Sequence, residues 1–159
     1  MTRQAPTLDT VNQAHERIRS SIHRTPVLTS QLLNAAAGAE LFFKAENLQK
    51  VGAFKARGAT NAVLSLSDKS AAGGVCTHSS GNHGAALAMA ARHRGVPAHI
   101  VMPNNAPVVK KAAVAAYGAH IIECEPTLAA REQTLERVVE ETGAAVVHPY
   151  DDARVIAGQ

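Results

Sequence analysis

From residue 54 onward, alanine-rich stretches with the composition of helices alternate with short apolar runs. The apolar runs predict four strands, over 74–78, 98–102, 119–123 and 145–148. The stretches around them predict four helices, over about 54–66, 82–94, 107–117 and 127–142. A helix that connects two strands of one sheet usually makes those strands parallel. The alternation therefore predicts an α/β fold, a three-layer αβα arrangement with helices on both faces of a parallel sheet.

The predicted helices carry residues that commonly begin or end a helix. Thr127 is placed to cap the start of the last of them, and Gly95, Gly118 and Gly143 stand where a left-handed residue is expected to end the last three. Ligands of parallel sheets bind beyond the carboxyl ends of the strands. The loops that follow the strands are therefore the candidate sites.

The first part of the chain has a different pattern. Residues 8–22 predict an amphipathic helix, with Asp9 or Thr10 as its N-cap. Residues 27–37 predict a short extended segment followed by a short helix, and residues 40–44 predict a strand.

Composition excludes several classes of protein. Hydrophobic residues make up 46% of the chain and charged residues 18%, which is typical of a folded globular protein. The net charge is +3, no Lys/Arg run occurs and aromatic residues are only 3%, so we expect no nucleic-acid partner. No stretch is apolar for long enough to span a bilayer, and the first residues lack the apolar region of a signal peptide. We therefore expect no membrane partner and a cytoplasmic location.

The two cysteines, Cys76 and Cys124, are too few for a disulfide framework or a zinc module. Each lies at or beside an apolar run, so we expect two buried, reduced thiols. His78 and His83 stand near Cys76 in the sequence, but no fourth ligand has a suitable spacing. We therefore expect no metal site.

The sequence THSSGNHG, residues 77–84, follows a predicted strand and opens a predicted helix. Its hydroxyl and amide groups stand beside the free N–H groups of a helix N-terminus, and its glycines allow backbone to approach a ligand closely. This pattern indicates a site for a carboxylate or phosphate, and the alternative is an ordinary capped helix start. The loop matches neither GxGxxG nor GxxxxGK[ST], which argues against a nucleotide-binding module.

The second candidate loop, ENLQKVGAFKARGA, places Lys55 in the first turn of a predicted helix. A cation at that end opposes the helix dipole, which lowers the pKa of the amine. A neutral amine is what Schiff-base chemistry requires. The alternative is an ordinary surface side chain, an interpretation that suits Lys50 and Arg57 better.

Four segments together resemble one family: NLQKVGAFKARGA, THSSGNHGAALAMAA, VMPNNAPVVKKAAVAAYGA and HPYDDARVIAGQ. They are similar to serine racemases and to threonine (serine) dehydratases, which are fold-type II enzymes dependent on pyridoxal phosphate (PLP) and related to the tryptophan synthase β chain. The resemblance runs over essentially the whole chain. It implies a PLP enzyme that acts on a small amino-acid substrate.

The resemblance also implies roles for individual residues. Lys55 of the GAFK motif is expected to form the Schiff base with PLP, and Phe54 beside it to contact the cofactor. Asn82 is expected to contact the ring hydroxyl of PLP. The substrate carboxylate is expected on the loop formed by Ser79, Ser80, Gly81, Asn82 and His83.

The implied reactions are the deamination of L-serine or L-threonine, the racemisation of serine, or both. PLP serves as the electron sink, and Lys55 takes the α-proton of the substrate as a general base. In the racemases, the residue matching Ser80 lies on the opposite face of the cofactor and serves as the second acid/base. Many plain dehydratases have alanine there, so Ser80 favours a racemase-like member.

Some positions depart from the pattern of the animal racemases. Val51 and Ala85 replace polar residues that lie, with Lys50 and Tyr117, near the ATP site of nucleotide-stimulated members. Their loss argues against activation by Mg-ATP. Tyr150 replaces an asparagine near the cofactor, so a side-chain contact there is not implied.

The resemblance implies that residues 1–47 are a strip of a large domain, 48–148 the small αβα domain, and 149–159 the return toward the large domain. The last residues begin a helix without a stop signal, which predicts that the sequence is the N-terminal part of a longer protein. In the family, the Gly-rich loop that holds the PLP phosphate and the divalent-cation ligands lie in the segment beyond. A second hypothesis therefore stays open, a non-catalytic folded fragment with at most weak PLP or carboxylate binding.

A strip that packs on another domain leaves apolar side chains partly uncovered. We expect this for Leu28, Leu32, Leu33, Phe42 and Phe43. Exposed apolar patches promote self-association, so we expect a homo-oligomer or association through this surface.

Overall fold

The computed structural model describes residues 5–159, so the first four residues of the predicted 1–47 strip lie outside the described part. Its strands are β1 Val27–Leu28, β2 Phe43–Lys44, β3 Val75–His78, β4 Ala98–Pro103, β5 His120–Cys124 and β6 Ala145–Val146. Its helices are α1 Leu8–Ile18, α2 Gln31–Ala37, α3 Lys55–Leu64, α4 Asp68–Ala71, α5 Asn82–Arg94, α6 Val108–Ala115, α7 Leu128–Thr142 and α8 Ala153–Gly158. Two 3-10 turns, Glu46–Leu48 and Lys50–Gly52, join β2 to α3.

Strands β3 to β6 form a parallel sheet in the order β5-β4-β3-β6. The last strand in sequence, β6, therefore pairs with the first, β3, and the register places Val75 opposite Ala145 and Cys76 opposite Val146. Strands β1 and β2 form a separate antiparallel pair. The sheet order brings the carboxyl ends of β3 and β6 together, although residues 79–144 separate them in sequence.

Helices cover both faces of the parallel sheet, which confirms the predicted α/β class and its three layers. Along β4, Ile100 and Met102 point into a large apolar cluster shared with α3, α5, α6 and α8. Val101, between them, points into a smaller cluster on the opposite face, with Val138 of α7. This alternation is the period-two pattern of a strand buried on both sides.

The predicted helix ends are largely confirmed. The Thr127 side chain accepts a hydrogen bond from the Ala130 N–H and caps α7. Gly95 and Gly143 end α5 and α7 in the left-handed conformation, with φ of 77° and 69°. Gly118, two residues beyond the C-cap of α6, has φ of 79°.

Three local predictions were wrong. Helix α1 ends at Ile18 rather than at residue 22, and its N-cap is Thr7 rather than Asp9 or Thr10. Thr10 is instead the reciprocal partner of that cap, since the Thr7 side chain accepts from its N–H and its own hydroxyl accepts from the Thr7 N–H. Cys124 is only half-buried because β5 is an edge strand, whereas burial raises the pKa of the Cys76 thiol to about 11.

No helix within residues 5–159 combines the length and the apolar character needed to cross a bilayer.

Candidate active site

The candidate site lies where β3 and β6 end side by side. Strand β3 continues into residues 79–81 and then α5, and β6 continues into the segment 147–149. Because the two strands are parallel neighbours, both segments leave the sheet at the same edge. The loop predicted to bind a carboxylate therefore lies beside a segment that the sequence analysis left without a role.

Two side chains hold the segment 147–149 from two different helices. Nε2 of His83, in the first turn of α5, lies 3.1 Å from the carbonyl oxygen of Val147. Nζ of Lys55, the first residue of α3, donates to the carbonyl oxygen of Pro149 at 2.6 Å. Both predicted loops thus meet on one strip of backbone, which is the arrangement that a shared site requires.

Lys55 is half-buried at the start of α3. Burial lowers the pKa of its amine, so the direction predicted from the helix dipole is right while the cause is desolvation. The amine lies 5.1 Å from the centre of the Phe54 ring. Within residues 5–159 it forms no ion pair, so no carboxylate there holds it in the charged form.

The loop 79–81 leaves the N-terminus of α5 without a side-chain cap. The Ser79 hydroxyl instead accepts from the N–H of Gly81 at 3.3 Å. The ordinary capped start, the alternative interpretation of this loop, is therefore not what the chain adopts. Uncapped N–H groups at the positive end of a helix favour an anion.

The two glycines of the loop have different reasons to be glycine. A Cβ atom on Gly84 would lie 2.6 Å from the Ser79 carbonyl oxygen, so Gly84 lets the loop pack on its own helix. A Cβ atom on Gly81 would meet nothing within 4 Å, so this residue borders open space. The close approach of a ligand stays a prediction for Gly81, whereas the space at Gly84 is already filled by the loop.

Two further side chains of the loop, Ser80 and Asn82, are available to a ligand. Ser80 is half-buried and Asn82 is exposed, and within the described part of the chain neither side chain has a hydrogen-bond partner. His83 is buried, and burial lowers its pKa to about 4 despite the bond to the Val147 carbonyl. The imidazole is therefore neutral at pH 7 and anchors the loop to the segment 147–149.

Sequence reasoning missed a cluster of three rings beside the loop. The His148 ring lies edge-on to His78, with centroids 6.3 Å apart, and edge-on to Tyr150, with centroids 4.5 Å apart. Burial and the charge of His148 lower the pKa of His78. No signal in the sequence could have identified this cluster. It depends on the pairing of β6 with β3, which brings the two strand ends together and which the order of strands in the sequence does not reveal.

The residues that the resemblance places near an ATP site lie away from Lys55 and from the loop 79–83. Lys50, Val51 and Tyr117 line a cavity of about 320 Å³ together with Thr60, Arg92 and His93, and Ala85 does not line it. Val51 has φ of 56° and ψ of 12°, a left-handed conformation that is costly for a β-branched residue. Neither Lys55 nor residues 79–83 border this cavity. Within residues 5–159, no three His, Cys, Asp or Glu side chains gather closely enough to hold a metal ion.

Comparison with family models gives one match, described as "pyridoxal-phosphate dependent enzyme", over residues 18–159. The chain is 56% identical to β-hydroxyaspartate dehydratase of Paracoccus denitrificans over 154 residues, which is 97% of this chain and 49% of that protein. It is 55% identical to serine racemase of Arabidopsis thaliana, over 94% of this chain and 45% of that protein.

Solved structures give the same result. Maize serine racemase superposes with a TM-score of 0.95 at 48% identity, over 98% of this chain and 47% of that chain. A threonine deaminase, that of T.th., superposes with a TM-score of 0.87 at 46% identity, over 96% of this chain and 48% of that chain. The chain spans about half the length of the relatives it matches.

Proposed function

We propose that this chain, which belongs to the family of pyridoxal-phosphate-dependent enzymes, serves the dehydration or racemisation of small β-hydroxy amino acids. The observation that carries the proposal is the half-buried Lys55 amine, which has a lowered pKa and bonds the same segment, 147–149, that His83 in the first turn of the uncapped helix α5 also contacts. The names of the relatives agree with it, since they include serine racemases and a β-hydroxyaspartate dehydratase.

The residues of the site fit PLP. Attachment of its aldehyde needs an uncharged amine, and desolvation favours that form of Lys55. The free side-chain amide of Asn82 can hydrogen-bond the ring hydroxyl, and Phe54 offers an apolar face beside Lys55. When bound, PLP supplies the electron sink that makes the α-proton of an amino acid removable.

The protein's own residues supply position and proton transfer. The N–H groups at the start of α5 hold the substrate carboxylate, with Ser79 and Gly81 shaping the loop around it. Lys55 takes the α-proton, because a neutral amine is an effective general base near pH 7. Loss of the β-hydroxyl of the substrate then leads to a keto acid and ammonia. In racemisation, Ser80 returns a proton to the α-carbon from the side opposite Lys55, the role that the resemblance implies, and this inverts the α-carbon.

Replacing Ser80 separates the two reactions. In Ser80→Ala we expect racemisation of L-serine to fall by about 100-fold or more, since a positioned acid contributes at least that much. Formation of keto acid should remain within a few-fold of the original rate, because Lys55 alone removes the α-proton. Chiral chromatography of serine and a keto-acid assay measure the two rates on the same samples with PLP added.

The matched control for that experiment is Ser79→Ala, which removes a hydroxyl one residue away. This change loosens the carboxylate loop and should lower both rates together. Equal losses of both reactions in Ser80→Ala would overturn the role proposed for Ser80. Assays with L-serine, L-threonine and β-hydroxyaspartate establish the preferred substrate.

We also propose the division of the chain that the resemblance implies. Residues 48–148 contain the whole parallel sheet and α3 to α7, which supports their assignment as the small domain. Residues 1–47 and 149–159 are then the parts that adjoin a large domain.

A further inference from the structure

We infer that His148 is a positioning residue for Lys55: its Nδ1 atom holds the turn that presents the Pro149 carbonyl to the Lys55 amine. The imidazole thereby determines where the amine rests whenever it is free. The inference rests on the proposed function in one respect, since it concerns the lysine that we propose to carry the reaction.

The turn is held through two backbone N–H groups. Nδ1 of His148 accepts from the N–H of Asp151 at 2.8 Å and from the N–H of Tyr150 at 3.3 Å. An atom that accepts two N–H groups carries a lone pair, so the neutral ring has its proton on Nε2. The side chain closes the turn as an Asx side chain does, bonding backbone two and three residues ahead.

Pro149 lies at the centre of this turn and offers only a carbonyl. Its ring fixes φ and it has no N–H, so its backbone orientation depends on the residues on either side. One side is anchored by the bond between His83 and the Val147 carbonyl, and the other by the two bonds to His148. The Pro149 oxygen therefore has a defined place, and the Lys55 amine donates to it at 2.6 Å.

The ring itself is held in place by its neighbours. His78 and Tyr150 both lie edge-on to it, at interplanar angles of 88° and 87°. His78 is the last residue of β3 and directly precedes the carboxylate loop. His148 thus couples the position of the lysine to the strand end that carries the proposed substrate loop.

Competitive acetylation of the protein across a pH series, read by peptide mass spectrometry, tests this without any cofactor. In His148→Leu the Nδ1 acceptor is lost, so the turn no longer holds the Pro149 carbonyl dipole against the Lys55 ammonium. We expect the pH midpoint of Lys55 labelling to fall by about 0.5 to 1 pH unit. His148→Asn, whose side-chain oxygen can accept the same N–H groups, should keep the original midpoint.

Two lysines in the same digest and one further histidine variant serve as controls. The exposed Lys69 and Lys110 give reference midpoints, and His120→Leu removes an exposed histidine of β5. An unchanged or raised Lys55 midpoint in His148→Leu, or equal shifts in the Leu and Asn variants, would overturn the inference. Failure of Lys55 to react with PLP would instead count against the proposed function alone.

A measurement on the unaltered protein covers the case in which His148→Leu does not fold. Long-range ¹H–¹⁵N correlation of the histidine rings reports which nitrogen carries the proton. At a pH where the ring is neutral, we expect His148 to be protonated on Nε2 only. Protonation on Nδ1 would contradict the inference, because that nitrogen could not then accept the Tyr150 and Asp151 N–H groups.

Discussion

Glu46 and Arg57 fix the segment that leads into α3, and therefore the place where Lys55 begins. The Arg57 guanidinium reaches both carboxylate oxygens of Glu46, at 2.7 and 2.8 Å, and the Thr25 hydroxyl donates to the same carboxylate at 2.5 Å. The bond from Arg57 is the main reason that the pKa of Glu46 falls to about 2, although burial opposes it. Two parallel hydrogen bonds between a guanidinium and a carboxylate fix the geometry of the two side chains more firmly than a single surface ion pair does.

Acid should therefore weaken the fold through Glu46. Its pKa is lower in the folded chain than its ordinary value of 4.5, so the stabilisation is fully present above pH 4.5 and is lost as the pH falls toward 2. We expect Glu46→Gln to cost about 1–2 kcal/mol at pH 6, allowing for solvent screening, and progressively less toward pH 3. Urea unfolding of both proteins at several pH values measures the difference.

The matched control for this prediction is Glu16→Gln. Glu16 pairs with Arg19 at 3.0 Å, but both side chains are about two-thirds exposed, so little change is expected. A difference between Glu46→Gln and the original chain that stays constant from pH 6 to pH 3 would contradict the account.

At the scale of the elements, α3 and α8 pack tightly against each other at two glycines. A Cβ atom on Gly58 would lie 2.6 Å from the Val155 carbonyl oxygen, and one on Gly158 would lie 2.6 Å from the Cβ of Asn61. The Asn61 side chain also donates to the Arg154 carbonyl at 2.7 Å. Since Lys55 begins α3 and Pro149 shortly precedes α8, this contact also maintains the bond between Lys55 and Pro149.

Gly58→Ala should consequently destabilise the chain although it lies in a helix. Alanine gains about 0.5–1 kcal/mol of helix propensity over glycine, whereas forcing a methyl group against backbone costs about 1–3 kcal/mol. We expect a net loss of about 1–2 kcal/mol in unfolding free energy and a lower Tm by thermal denaturation. Gly81→Ala, where a Cβ atom meets nothing within 4 Å, is the control and should change the Tm little. A rise in Tm for Gly58→Ala would contradict this prediction, because it would show that α3 and α8 can move apart to accept a methyl group.

The sequence predicts the elements better than their arrangement. Apolar runs and glycine caps predict the four strands and four helices of the sheet to within a few residues, because burial and left-handed caps are local signals. Which strands lie next to each other in the sheet depends on the direction in which each connecting segment crosses over, and no local sequence pattern encodes that direction. The two predicted loops could therefore be identified from sequence, but the His148 turn between them could not.

On the scale of the whole molecule, the apolar side chains expected to be uncovered are exposed in the structure. Leu28, Leu32, Leu33, Phe42 and Phe43 are between 43% and 84% exposed, and all five lie in or beside the β1–β2 pair and α2. Leu28 and Phe43 are direct partners across the β1–β2 pair. Several exposed apolar side chains in one part of a small protein favour association.

We expect the chain to self-associate through this surface. The double variant Leu32→Glu/Phe42→Glu places charge at its two most exposed positions and should shift the sedimentation profile toward monomer at equal concentration. Val108→Glu/Val109→Glu, on the similarly exposed first turn of α6, is the matched control and should leave association unchanged. A monomeric original chain with no dye-accessible apolar surface would contradict this expectation.

The most direct test of the central claim is whether Lys55 is the reactive amine. The chain is incubated with PLP and reduced with borohydride, and the pyridoxyl-lysine is mapped by peptide mass spectrometry, with Lys55→Arg as the control. We expect label concentrated on Lys55, because burial favours its neutral amine and the site around it fits the cofactor. Label that is absent, or that is spread over Lys50, Lys110 and Lys111, would contradict it.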